Sequence, residues 1–213
     1  MRVETMSRRE ENNEKRRRKL LTAARTLFDR QGFEATTVAE IAKASKSALR
    51  TVYNVFPAKI DILAALLSVE ARTQLAAGLA GLKATEGEDP QHRLMQLLEM
   101  LTHIFTGGSR QESRLVTAHA ISSGRTTLAG QIYDDIDKTV QREILDLLLE
   151  LEERRAFQDG VAAEALARLV FNAVNGLFFL WLGDDAMTSA QCLERLREHV
   201  AILLPRQEDG QRA

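Results

Sequence analysis

An all-α protein with a small N-terminal head and a larger helical body is predicted by three features of the sequence. The 213 residues contain only 3 prolines and few runs of the β-branched and aromatic residues that favour strands. Apolar residues recur at steps of three and four over long stretches, as in Ile132, Ile136, Val140, Ile144, Leu147 and Leu151. That period is the helical one. Thirdly, Thr36 to Phe56, TTVAEIAKASKSALRTVYNVF, reads as two short helices joined by a turn.

Charge separates the two parts. Residues 1–60 hold 14 Lys and Arg against 7 Asp and Glu, whereas residues 61–213 hold the other 15 against 23. A basic head on an acidic body suits a protein that presents one end to a polyanion. The lone Cys192 excludes an intramolecular disulfide and a multi-cysteine zinc site, and fits a reducing cytoplasm. The N-terminus is charged and lacks the apolar core of a secretory signal. The most apolar run, Leu166 to Leu182, is interrupted by Arg168, Asn172 and Asn175. Such groups point to a buried helix rather than a bilayer span, so no membrane partner is expected.

In chain order, residues 1–13 read as a disordered polar tail. Lys15 to Lys19 open a helix whose core face is Leu20, Ala24, Leu27 and Phe28, and Gly32 ends it as a left-handed C′ residue. Phe33 folds back. Thr37 and Glu40 stand at capping-box spacing and start the second helix. Ser45-Lys46-Ser47 form a turn, and the third helix carries Ala48, Val52, Val55 and Phe56 on one side. Its other side offers Arg50, Tyr53 and Asn54, with Leu49 on the flank, groups suited to the DNA major groove. Leu27, Phe28, Phe33, Ile41, Val52 and Phe56 would make the core of this trihelical unit.

Pro57 is compatible with the first turn of a fourth helix that runs to about Leu82 and links head to body. After a polar break at residues 86–90 comes a helix with Leu94, Leu97, Leu98, Leu101, Ile104 and Phe105 buried. A short helix around Leu115 to Ile121 follows, then a long one from Leu128 to about Arg155. The helix Ala162 to Leu182 is apolar on more than one side, and Ala190 to Leu204 carries a stripe of Leu193, Leu196, Val200 and Leu203.

The head has a specific resemblance. RKLLTAARTLFDRQGFEATTVAEIAKA, followed by RTVYNVFPAKIDIL, resembles the N-terminal domain of the TetR (tetracycline-repressor-like) family of bacterial transcriptional regulators. The signposts are Ala23-Ala24, Leu27-Phe28, Gly32-Phe33, Thr36-Thr37-Val38, Ile41-Ala42, Thr51-Val52-Tyr53, Phe56 and Lys59. The remaining chain is similar only in length and helical character. At the turn, where the family usually has Ala-Gly-Val-Ser, this chain has Ser45-Lys46-Ser47-Ala48. Lys46 would then carry a positive φ at a cost of roughly 1 kcal/mol, and Ser47 would cap the third helix one residue early.

The resemblance implies a helix-turn-helix DNA-binding domain over residues 14–60, with the motif at 37–56. It also implies a ligand-binding and dimerisation domain over 61–205, followed by a tail, 206–213. Arg50 is the expected base reader, since its fork matches guanine O6 and N7, with Leu49 and Thr51 beside it. Thr37, Tyr53, Asn54, Lys59, Lys15, Arg16 and Arg17 are expected on phosphates. A pocket between body helices would draw on His103, His119, Tyr133, Asn172 and Asn175, each of which equally fits a satisfied core residue. Phe171, Val174, Phe178, Leu193, Leu196 and Val200 are candidates for a homodimer interface built as a four-helix bundle.

No catalytic constellation is visible. Cys192 and His199 stand seven residues apart with no orienting third group, and Asp134, Asp135 and Asp137 read as solvated acids rather than a metal site. No cofactor is implied. The expected protein is a cytoplasmic, ligand-released homodimeric repressor, not an enzyme. Its partners would be a palindromic double-stranded DNA operator and a lipophilic small molecule. Two other readings stay open, a transcriptional activator and an all-helical binding protein or enzyme with a non-functional head.

Overall fold

The computed structural model describes residues 8–85, 87, 89–124, 127–154 and 161–203. Among them lie nine helices and no strand: α1 (Arg8–Ala35), α2 (Val38–Ala44), α3 (Leu49–Val55), α4 (Lys59–Lys83), α5 (Pro90–Thr106), α6 (Arg110–Ser123), α7 (Leu128–Glu153), α8 (Ala163–Gly183) and α9 (Ser189–Leu203). The expected tail at 206–213, the break at residues 158–160 and the side chain of Ile132 lie outside the described residues.

Two compact units emerge. One takes the residues up to 69 together with 115–132, and the other takes 70–114 and the residues from 133 onward. The first is organised on α1 to α3 and the start of α4. Leu20, Ala24, Leu27, Phe28, Ile41, Val52 and Phe56 are buried there, joined by Ile62 to Leu66 of α4. Phe33, half-buried, meets the Phe28 ring at a centroid distance of 5.4 Å, so the backward fold after Gly32 is present. Gly32 breaks α1 with φ 82° and ψ 163°. This is the extended positive-φ region rather than the left-handed one expected, and only glycine enters it readily.

α1 reaches back to Arg8, where a disordered tail to residue 13 was expected. Side-chain pairs one turn apart support this polar end: Arg16 donates to Asn13 at 3.4 Å, and Arg18 pairs with Glu14 at 3.2 Å. α4 begins two residues later than expected. Pro57 precedes it, and the Asp61 carboxylate accepts the Ala58 N–H at 2.9 Å, closing the first turn.

In the second unit α8 packs on α9 and on α5, and α5 on α9. Leu94, Leu97, Leu98, Leu101, Val140, Ile144, Leu147, Leu148, Leu151, Val170, Val174, Leu177, Trp181, Leu196 and Val200 share one core. Asp89 caps α5 by accepting the His92 N–H, with Pro90 at its first position. α4 and α8 are each long and apolar enough to cross a bilayer by length and composition alone. Each nonetheless buries part of its surface within the chain, as core helices do.

Candidate nucleic-acid interface

Local hydrogen bonds set the geometry of the head. Thr37 Oγ accepts the Glu40 N–H at 3.2 Å, and a Glu40 oxygen accepts the Thr37 N–H at 2.8 Å, completing the expected capping box. These contacts, first the Thr37 backbone and then its hydroxyl, hold the Glu40 carboxyl below its ordinary value. At the other end of α2, Lys46 N–H donates to the Lys43 carbonyl and Ser47 N–H to the Ala42 carbonyl. That pair is a Schellman closure with Lys46 as the C′ residue, and Lys46 has φ 52°. The strained lysine expected from the sequence is there.

Ser47 does not cap α3, contrary to expectation. The N-cap is Ala48, without a side-chain hydrogen bond, while Ser47 Oγ turns to the Ser45 carbonyl at 3.4 Å. The Schellman bonds orient Ser47 toward α2, which removes it from the cap position. Val52 and Phe56 anchor α3 in the core with no accessible surface. The opposite side is open: Leu49 and Tyr53 are 44% and 48% exposed, and Arg50 and Asn54 are exposed as well. Among the described residues Arg50, Tyr53 and Asn54 make no side-chain hydrogen bond or ion pair. Thr51 is half-buried on the flank.

Three of the expected phosphate contacts are occupied within the chain. Lys59 Nζ donates to the carbonyls of Phe33, Glu34 and Thr36 at 2.7, 3.2 and 3.0 Å, and lies 4.2 Å from the Phe33 ring centroid. An ammonium has three hydrogens, and all three are used. Lys59 thus ties the end of α1 to α4 rather than reaching outward. The Arg17 guanidinium lies 4.9 Å from the Phe56 ring centroid, half-buried, and braces α1 against α3. Thr37 Oγ gives its hydrogen to Glu40 at 2.8 Å, so it has no donor for a phosphate. Lys15 is exposed and unpaired among the described residues, and exposed Arg16 reaches only Asn13.

The body residues are less concentrated than expected. His103 and Asn172 are exposed, whereas Tyr133, Asn175 and His119 are half-buried. His119 Nδ1 stands 3.2 Å from Ser123 Oγ, and by its contacts this residue belongs to the first unit. The second unit has a groove of about 440 Å³ between α5 and α9, bordered by His92, Gln96, Glu99 and Arg197. Another, of about 270 Å³, lies between α4 and α5 at Gly78, Gly81 and Met100. None of the five expected pocket residues borders either groove. Asp134 pairs with Lys138 at 2.5 Å and Asp135 with Arg72 at 3.0 Å. Cys192 is buried, and that burial pushes its thiol up, which makes it a poor nucleophile.

The expected dimer surface needs correction. Val174, Leu196 and Val200 are 5%, 1% and 2% exposed inside their own chain, so they offer no area to a partner. Leu196, Val200 and Leu203 of the α9 stripe join the core that α9 shares with α5 and α8 instead. What α8 leaves open is Leu169, Phe179 and Leu180. The sequence reading also missed two arginines. Arg110 lies 4.4 Å from the Trp181 ring centroid and donates to the carbonyls of Asp184 and Met187 at 2.7 and 2.5 Å. Arg114 donates to the Leu182 carbonyl and to Asp185. Arg110 and Arg114 at helical spacing, with Gly183-Asp184-Asp185 after an apolar helix, were the available signal.

A capped α2, a tight turn and an α3 anchored on one side with free polar groups on the other define a helix-turn-helix protein. Residues 20–66 match the model of the bacterial regulatory proteins of the tetR family. The head is thus similar to that of the tetR-family bacterial regulatory proteins, as the resemblance carried by its sequence implied. Solved structures extend the likeness to the whole fold. FadR of Thermus thermophilus, a TetR-family repressor in complex with lauroyl-CoA, is 21% identical with a TM-score of 0.67, over 92% of this chain and 100% of that one. FadR of Bacillus subtilis in complex with stearoyl-CoA is 17% identical with a TM-score of 0.63, over 89% and 98%. A putative regulator of Saccharomonospora viridis in complex with choline is 22% identical with a TM-score of 0.64, over 88% and 96%. Compared by sequence with curated proteins, the chain matches none.

Proposed function

We propose that the protein is a cytoplasmic homodimeric repressor that releases a palindromic operator when a small lipophilic molecule binds its helical body. The observation that carries the DNA half of this reading is the free outer side of α3. Among the described residues Arg50, Tyr53 and Asn54 are exposed without side-chain partners, on a helix anchored by Val52 and Phe56. Arg50 reads a base, Leu49 and Thr51 flank it, and Tyr53, Asn54, Lys15 and Arg16 hold phosphates. Two-fold symmetry would set two such helices about 34 Å apart, one turn of B-DNA.

The dimer half rests on the apolar residues that α8 leaves uncovered, Leu169 at 52%, Phe179 at 49% and Leu180 at 53% exposure. A second copy of the same helix would cover them as an isologous contact. Residues 61–205 then act as the ligand-binding and dimerisation domain. The acyl-CoA complexes of the two FadR proteins favour a lipophilic ligand, and the choline complex names a competing chemistry. A ligand that prefers one arrangement of the heads shifts the population through α4, which is one helix from Lys59 to Lys83.

The test is a mobility shift with the DNA flanking the protein's own gene, over about 50–200 mM salt, without and with lauroyl-CoA. Binding that falls steeply with salt and is relieved by lauroyl-CoA supports the DNA and the ligand parts of this reading. Binding untouched by acyl-CoA or choline removes the ligand class. A reporter fused to the same DNA in a deletion strain separates repression from activation.

A further inference from the structure

The turn between α2 and α3 keeps a lysine where the backbone favours glycine. Lys46 has φ 52°, a conformation that disfavours any residue with a Cβ. Its side chain contributes nothing to the turn, because both closing hydrogen bonds come from backbone N–H groups. The ammonium is exposed and has no side-chain partner among the described residues. A strained residue retained without a structural use points to work done by its side chain.

Lys46 lies beside an open groove of about 1080 Å³ between α1 and the turn. Lys15, Arg16, Arg18, Lys19, Arg30 and Lys46 line it, and among the described residues no Asp or Glu does. Arg18 is drawn to Glu14, Arg30 to Gln31 and Arg16 to Asn13, which leaves Lys15, Lys19 and Lys46 without a side-chain partner among the described residues. Along α1 the lining residues follow steps of three and four from Asn12 to Arg30. They therefore share one side of the helix over about 27 Å at 1.5 Å per residue. The turn's end of the groove is Ser47, next to the Ala48 N-cap of α3.

An occupant must be extended, polyanionic and already present at α3. We propose that this groove is a second DNA track, in which phosphodiester backbone outside the base pairs read by α3 lies against Lys46, Lys19 and Lys15. The proposal rests on the DNA-binding reading above. Lys46 in this view exchanges stability of the turn for a phosphate contact that glycine cannot make.

The experiment uses the full chain and a labelled duplex of arbitrary sequence of roughly 30 base pairs, about three helical turns. Binding is read by anisotropy over about 50–200 mM salt, beside thermal unfolding. Lys46→Gly is expected to weaken binding several-fold, flatten the log–log salt slope by about 1 per protomer, and raise Tm by about 2–4 °C. Lys46→Gln keeps the strain and loses the charge, so it flattens the slope with no rise in Tm. Lys15→Gln combined with Lys19→Gln flattens the slope further. Wild-type slopes in all three variants, with normal wild-type binding, would overturn the track and leave the α3 reading intact. Absence of salt-sensitive binding by the wild type to this duplex and to its own flanking DNA would overturn the DNA reading itself, and the track with it.

Discussion

Lys59 Nζ rests 4.2 Å from the centroid of the Phe33 ring while donating to the carbonyl oxygen of the same residue at 2.7 Å. One cation thereby holds both the side chain and the backbone of the segment that follows the Gly32 break. It also neutralises carbonyls at the C-terminal end of α1, where the helix dipole is negative.

Lys59→Met therefore acts on stability before it acts on DNA. The loss of charge-assisted hydrogen bonds to backbone carbonyls is expected to cost about 1.5–3 kcal/mol. The salt slope of DNA binding stays near that of the wild type at a temperature where the variant is folded. Urea unfolding followed by circular dichroism, with the salt titration beside it, checks both. A flattened slope at unchanged stability would return Lys59 to the phosphates.

Arg50→Ala should do the reverse. Arg50 is exposed and unpaired among the described residues, so stability changes by less than about 0.5 kcal/mol. Specific binding loses about 1–3 kcal/mol at one base pair of each half-site, with non-specific binding much less affected. A panel of single-base operator variants reads this, and a uniform loss across the panel would contradict it.

Acid should loosen α2 through Glu40. Its folded-state pKa lies below the unfolded one, the Thr37 backbone and hydroxyl being the main causes. The contribution of the carboxylate is therefore full above the unfolded value, near 4.5, and is lost as pH falls through the folded value. Thr37→Ala removes the cap, at about 1 kcal/mol near neutrality, and should also blunt this acid dependence. Stability curves of both proteins from neutral pH down to the acid limit make the comparison.

Trp181 is the single tryptophan of the chain and is 3% exposed beneath Arg110. Arg110→Ala should strip the ring of its cation and free the carbonyls of Asp184 and Met187. A loss of about 2–4 kcal/mol and a red-shifted emission are expected. Unshifted fluorescence would mean that α8 holds its end without α6.

Phe179→Glu with Leu180→Glu should convert a dimer to a folded monomer, because both side chains are about half exposed in the single chain. Val174→Glu, by contrast, should unfold it, since that residue is 5% exposed in the core. Sedimentation velocity and circular dichroism distinguish the two outcomes.

Much of the head was legible because its signals are local. Thr37 and Glu40 are three residues apart, the Schellman bonds span at most five, and Phe33 reaches Phe28 across a single break at Gly32. Steric preference and short-range hydrogen bonding determine such features, whereas the positive φ at Lys46 was implied by the family resemblance, which puts a glycine at that position of the turn. The helical bodies were legible for the same reason, through their period.

Tertiary structure alone decided where the long cations and the apolar faces go. Lys59 finds carbonyls 23 to 26 residues away, and Arg110 meets backbone 74 to 77 residues on. Sequence determined that α8 and α9 are apolar; packing determined that Val174, Leu196 and Val200 turn inward and leave Leu169, Phe179 and Leu180 outside. A helical period identifies a face, but only the neighbours that pack against it decide whether that face meets the core or the solvent.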